Sequence, residues 1–191
     1  MSYKWNTRTE LLLGAERMEY LSHCHVLVVG LGGVGAYAAE QICRAGIGHM
    51  TIVDADTVND SNINRQLPAL HSTLGMQKAE VVGQRLLDIN PRLKLTILNE
   101  FLRDERTEEV LSAQKYDFIV DAIDSLSPKA YLLYHAYRRE IPIVSSMGAG
   151  AKIDPSQVKI ADISKTCNCA LAKAVRKRLR GMGLNKGIPV V

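Results

Sequence analysis

The chain has 191 residues, 47% hydrophobic and 23% charged, with a formal net charge of +4. That composition is ordinary for a soluble globular protein, and the length gives one large domain with a real core or two small ones. No window approaches the roughly 20 apolar residues of a membrane span, MSYKWNTRTE has no signal-peptide core, and four cysteines without a secretion signal read as reduced thiols, so a cytoplasmic protein with no transmembrane segment is expected.

In chain order, residues 1–22 read as helical, and HVLVVG (25–30) as a short buried strand. GVGAYAAEQICRAG (33–46) reads as a helix stopped by Gly46, and HMTIVDAD (49–56) as a second strand ending in two carboxylates. KAEVVGQRLLDIN (78–90) places Ala79, Val82, Leu86 and Ile89 on one helical face, with Pro91 just past its end. LKLTIL (93–98), YDFIVDAID (116–124) and IPIVSSMG (141–148) read as further strands, with helices near 104–114 and 128–139 between them. For the second of those helices Ser127 is the expected N-cap and Pro128 the first helical residue. Strands separated by helices predict an α/β, Rossmann-like fold: a doubly wound, mainly parallel sheet with helices on both faces. Ligands of such sheets bind at the carboxyl ends of the strands.

Gly30, Gly32 and Gly35 match G-x-G-x-x-G, with Gly33 between them, directly after a strand and before a helix. Glycines allow a tight turn and close backbone approach, and the helix N-terminus offers amides to phosphate oxygens. Asp54 follows Gly35 by about the ~20 residues expected of a carboxylate that accepts from a ribose hydroxyl. A dinucleotide dehydrogenase needs little more than that carboxylate before its next helix. Here a long polar loop follows, DADTVNDSNINRQ (54–66), carrying Asn62, Asn64, Arg65 and Gln66, and then Lys78 opens a helix. Arg65 offers a planar fork of donors and Lys78 a point charge, which together suit a triphosphate. Asp121 and Asp124 end a later strand, where an Asp can hold Mg²⁺ against phosphate oxygens. Taken singly, each charge reads as a surface residue on a loop; taken together they read as a nucleotide site.

These motifs carry a family resemblance. G-x-G-G-x-G at 30–35, D-x-D at Asp54–Asp56, S-N-x-x-R-Q at Ser61–Gln66, Lys78 and D-x-x-D at Asp121–Asp124 resemble, in order and spacing, the ThiF/MoeB/HesA group. That group comprises the bacterial relatives of ubiquitin-activating enzymes, and the resemblance runs from about Arg8 to the basic helix near the C-terminus. It implies ATP and Mg²⁺ as cofactors, with Asp54 on the ribose, Asn62, Arg65 and Lys78 on the phosphates, and Asp124 on the metal. It also implies a homodimer in which Arg8 reaches the partner subunit's ATP. The remaining motif residues, Gly30, Gly32, Gly33, Gly35, Asp56, Ser61, Gln66 and Ser125, complete the nucleotide site so implied. Further segments (GIGHMTIVDADTV, NINRQ, GMQKAEV, INP, VDAIDS, PKA, GAGAKIDPSQ and LAKAVRKRLR) resemble the members of the group that act on tRNA. Those members use ATP to cyclise the threonylcarbamoyl group on a modified adenosine.

The departures separate this reading from its rivals. Activators of ubiquitin-like sulfur carriers often hold structural zinc in two C-x-x-C pairs, which this sequence lacks. Cys167-Asn168-Cys169 reads as two thiols on a helix-entry loop, and Cys24 and Cys43 as core residues. A non-catalytic nucleotide-binding subunit is disfavoured by the full set Asn62, Arg65, Lys78 and Asp124. An NAD-dependent dehydrogenase is disfavoured because no hydride-transfer acid or base stands out. Residues 1–164 are expected to form the adenylation domain. Residues 165–191 are expected to form a basic helical segment that opens a further C-terminal part, in which the group carries a reactive cysteine. That segment has seven basic residues and no acid, which leaves residues 1–164 with 17 basic residues against all 20 acids, near −3. A basic tail on a slightly acidic body points to an anionic partner, here tRNA, and the group resemblance adds a sulfur-transfer partner protein.

Overall fold

Gly14, at φ 85°, interrupts the N-terminal helical stretch and leaves two helices, α1 (Thr7–Leu13) and α2 (Ala15–His23). The computed structural model describes residues 4–191, so the first three residues of the expected helix lie outside the described residues. The chain divides into two compact units at Phe101 and Leu102.

In the first unit, β1 (His25–Val29) and β2 (His49–Val53) bracket α3 (Gly35–Arg44), and α4 (Lys78–Ile89) leads into β3 (Lys94–Leu98). The strands are parallel in the order β3-β2-β1, with His25 opposite His49 and His49 opposite Lys94. All five residues of β1 are buried, as a parallel strand covered on both faces requires. Helix α3 packs on β1 and on α4, and the core runs through Leu27, Val28, Ala36, Ala39, Ile52 and Leu86. Each large apolar side chain so buried contributes about 1.5–3 kcal/mol. Gly83 lets α4 close on the sheet, because a Cβ there would lie 2.5 Å from the Ile97 side chain. Helix α3 starts two residues later than the glycine pattern alone implies, since residues 30–34 form the loop that precedes it.

The second unit contains α5 (Glu105–Ala113), β4 (Phe118–Asp121), α6 (Leu126–Arg138) and β5 (Ile143–Ser145). It continues through β6 (Ala161–Asp162) and α7 (Ala170–Gly181) to β7 (Pro189–Val190). Strands β4 and β5 are parallel with Asp121 opposite Ser145; β7 lies parallel beside β5, and β6 is antiparallel to β7. The α/β, mainly parallel, Rossmann-like architecture expected from the sequence is therefore present. The strand expected over 116–124 stops at Asp121, because that carboxylate captures the Ile123 N–H and turns the chain. Ser125 and not Ser127 occupies the N-cap of α6, so Pro128 is the third helical residue. It remains in the first turn, where an N–H has no partner within the helix and its absence costs nothing.

The basic tail belongs to this unit: α7 packs on α6, and β7 pairs with β5 and β6. Its buried stripe is Ala172, Val175 and Leu179. Leu171 and Ala174 beside it are half-buried. Among the described residues no helix is long and apolar enough to cross a membrane.

Candidate nucleotide-binding site

The first unit assembles the glycine loop, the D-x-D carboxylates and the polar loop at the carboxyl ends of β1 and β2. Gly30, at φ 86°, turns the chain out of β1, a conformation L side chains rarely adopt. The N-terminus of α3 has no side-chain cap, so the loop and the first helical turn keep amides for an anion. Asp54 fixes this loop from below: its Oδ2 accepts the Leu31 N–H at 2.6 Å and its Oδ1 the Asp56 N–H at 2.8 Å. Burial pushes the Asp54 carboxyl above its ordinary value, and those two amides with Lys78 oppose the shift. A partly buried carboxylate tied to the glycine loop suits an acceptor for ribose hydroxyls.

The polar loop is pinched at its base. Thr57 bridges Gln77, the Lys78 N–H donates to the Asp56 carbonyl, and the Lys78 ammonium pairs with Asp56 Oδ2 at 2.9 Å. Lys78 stands at a helix start as its sequence position implies, but it is 5% exposed and its charge is held by Asp56, which spacing does not reveal. Within the loop, Asn62 is buried and its side-chain oxygen accepts the Asn59 N–H, closing a short 3-10 turn at 60–62. Arg65 is exposed and donates to the Ser61 carbonyl and to Asn64 Oδ1. The same segment lies over the glycines. A Cβ on Gly33 would lie 3.7 Å from the Arg65 side chain, and one on Gly32 would lie 3.6 Å from the Gln66 amide. Gln66 Oε1 is buried with no hydrogen-bond partner among the described residues.

The second unit separates the two carboxylates of D-x-x-D. Asp121 is fully buried: Oδ2 pairs with the Lys129 ammonium at 2.8 Å and accepts the Ser145 hydroxyl at 2.5 Å, while Oδ1 accepts the Ile123 N–H at 3.0 Å. Both of its oxygens are engaged and the residue is buried, so of the two carboxylates Asp124 is the one left open to a metal. Asp124 is exposed, and no hydrogen bond or ion pair engages its carboxylate among the described residues. A free hard-oxygen ligand on a loop fits Mg²⁺, which takes one or two carboxylates and fills its other positions with water and phosphate. Ser125 is exposed at the N-cap of α6. Arg8 is exposed on α1. Among the described residues no three His, Cys, Asp or Glu side chains gather as a metal cluster. Cys169, read from sequence as a loop thiol, caps α7: its sulfur accepts the amides of Gly148 and Ala172. Arg176 on that helix turns in and donates to the Thr166 carbonyl and hydroxyl.

The ThiF family matches residues 3–188. The chain belongs to that family. Among curated ThiF relatives it is similar to the tRNA threonylcarbamoyladenosine dehydratase of Bacillus subtilis (strain 168), with 42% identity over 97% of this chain and 72% of that protein. It is 39% identical to the enzyme of the same name from Escherichia coli (strain K12), over 94% of this chain and 68% of that one. The crystal structure of the E. coli dehydratase in complex with ATP superposes with a TM-score of 0.94 at 37% identity, covering 97% of this chain and 79% of that one. The molybdopterin-synthase adenylyltransferase of Salmonella typhimurium is 33% identical over 73% of the chain.

Proposed function

We propose that this ThiF-family protein is an ATP-dependent dehydratase that cyclises threonylcarbamoyladenosine in tRNA through an acyl-adenylate. The observation that carries the reading is the likeness, over nearly the whole chain, to a dehydratase solved with ATP. The chemistry suits the residues. A carboxylate is a poor electrophile, because its oxygen is a poor leaving group. Attack of the threonyl carboxylate on the α-phosphate of ATP forms the acyl-adenylate and expels pyrophosphate. The neighbouring carbamoyl group then attacks the activated carbonyl, closes the ring and releases AMP, so the nucleoside loses one water. Proximity within one substituent supplies much of the second step.

In this reading Asp54 holds the ribose, Gly30, whose N–H donates to the Val53 carbonyl, turns the loop out of the sheet, and the amides of Gly32, Gly33 and Gly35 serve the phosphates. Asn62, Arg65 and Lys78 neutralise the charge that develops on pyrophosphate. Asp56, Ser61, Gln66 and Ser125 complete the nucleotide contacts. Mg²⁺ on Asp124 would supply further charge against the phosphate oxygens. For Lys78 to reach a phosphate it must share or leave Asp56, so ATP binding and the neck of the polar loop are coupled. Arg8 completes the site of the partner subunit in a homodimer. The group resemblance also supports a cytoplasmic protein and a sulfur-transfer protein as a second partner.

Helix α7 supports the tRNA assignment independently. Lys173, Lys177, Arg178 and Arg180 are exposed on it, and residues 165–191 hold no acid to pair with them. Cations at i and i+4 repel one another, so such a face is unfavourable until phosphates neutralise it. Mass analysis of tRNA nucleosides from a strain lacking the protein tests the proposal. Accumulation of the uncyclised nucleoside is expected, and an unchanged cyclic product would defeat it.

A further inference from the structure

A fully buried ion pair is poor evidence for stability, because removing two charges from water costs several kcal/mol that an apolar pair of the same size avoids. The Lys129–Asp121 pair is 0% exposed at both residues, so what it positions gives the better reason for it. Its remaining bonds answer this. The Lys129 ammonium also donates to the Ile123 carbonyl at 2.8 Å, while Asp121 Oδ1 accepts the Ile123 N–H at 3.0 Å. Ile123 is therefore clamped through both of its backbone polar groups, and the next residue is Asp124. Ser145, on the adjacent strand, fixes Asp121 from the side at 2.5 Å, and the Asp121 carbonyl accepts the Ser146 N–H at 2.8 Å. On the far side Ser125 enters the N-cap of α6, the helix that carries Lys129.

We propose that Lys129, with Asp121 and Ser145, is a positioning residue that sets the short loop carrying Asp124, the proposed metal ligand. The inference rests on the reading of Asp124 as the metal ligand. Groups that orient a metal ligand without touching the metal are commonly worth about 10-fold or more in metal affinity. Lys129 lies on the apolar stripe of α6 with Leu132, Leu133 and Ala136, a placement with no use for a charge except toward Asp121 and Ile123.

The test compares three variants by calorimetry with ATP, with and without Mg²⁺, and by thermal unfolding. Lys129→Met alone strands the Asp121 charge and is expected to destabilise the fold. Asp121→Asn/Lys129→Met removes both charges at nearly constant volume and is expected to restore the unfolding midpoint. It should bind ATP without Mg²⁺ within about twofold of the parent yet lose about 10-fold of the strengthening that Mg²⁺ gives. A purely structural pair predicts the opposite: once the midpoint recovers, the Mg²⁺ effect recovers with it, and that result overturns the inference. If the double variant does not fold, Ser145→Ala decides, since it removes one hydroxyl bond and leaves the ion pair. A roughly threefold weaker Mg²⁺ effect supports the inference, and an unchanged one overturns it. Asp124→Ala run alongside separates the two levels. If it keeps the Mg²⁺ effect, the metal-ligand reading fails and takes the inference with it; if it loses the effect while the double variant keeps it, only the inference fails.

Discussion

Glu40, Lys78 and Lys129 are charged, yet each lies on the buried stripe of a helix and each has a counter-charge in its own unit. Glu40 on α3 takes Arg44 at 2.8 Å and Arg85 of α4 at 2.5 Å, tying the two helices together. Lys78 takes Asp56, and Lys129 takes Asp121. The stripes are legible in the sequence from spacing alone, but the partners lie up to 45 residues away and are not. For that reason nothing in the sequence marks Lys129 as a site residue, although Pro128-Lys129-Ala130 belongs to the family pattern. The Glu40 clamp makes a pH prediction. Arg85 holds its carboxyl below the ordinary glutamate range, burial opposes this, and Arg44 adds to the lowering. The folded state therefore binds this proton less readily than the unfolded chain. The stabilisation is present above the ordinary glutamate value and is lost as pH falls through the depressed folded value. With both arginines half-exposed, Glu40→Gln should cost only about 1 kcal/mol near neutral pH. Urea unfolding of parent and variant checks this; the gap should close in acid, and a constant gap would show that charge is not the cause.

Elements are legible in proportion to their length and burial. Strands β1 and β3 and helices α4 and α5 fall where apolar runs and spacing place them, whereas β2, read over 49–56, ends at Val53 because the Asp54 carboxylate takes the Leu31 and Asp56 amides and turns the chain out of the sheet. Strands β6 and β7, two residues each, are too short to display a period and exist through pairing with neighbours. Helix α6 starts two residues before the Pro128 that the sequence marks as its first residue, because the turn imposed by Asp121 on Ile123 brings Ser125 and not Ser127 to the N-cap. Helix α7 is legible as amphipathic, but the inward turn of Arg176 to Thr166 depends on a loop whose position no periodicity reveals. This yields a paired prediction. Changing Lys173, Lys177, Arg178 and Arg180 to Ala should weaken tRNA binding, with ATP affinity unchanged. It should also flatten the logarithmic salt dependence by up to about 0.9 for each phosphate no longer neutralised. Arg176→Ala should instead lower the unfolding midpoint and leave the salt slope nearly intact. Filter binding across a salt series measures both, and an unaltered slope in the fourfold variant would leave α7 as a solvated face.

At the scale of the molecule, the glycine loop, Asp54, Arg65 and Lys78 lie in the first unit, while Asp121, Asp124 and the basic helix lie in the second. Motif spacing displays both sets in the sequence. The division at Phe101 and Leu102 is not displayed, because no linker composition marks it. The proposed sharing of Arg8 between subunits is testable with mixed chains. Arg8→Ala and Asp124→Ala chains should each be inactive alone. An equal mixture that exchanges subunits at random should recover about a quarter of parental activity, since half the dimers carry one complete site of two. No recovery in any mixture would count against a shared site. The central claim, ATP-driven loss of water from threonylcarbamoyladenosine in tRNA, is tested most directly with purified protein. The protein is incubated with ATP, Mg²⁺ and tRNA bearing that nucleoside, and the digested nucleosides are weighed by mass spectrometry. The account predicts a nucleoside lighter by one water, formed in step with AMP and pyrophosphate and absent without ATP. An unchanged nucleoside from active protein that still exchanges pyrophosphate into ATP would contradict it.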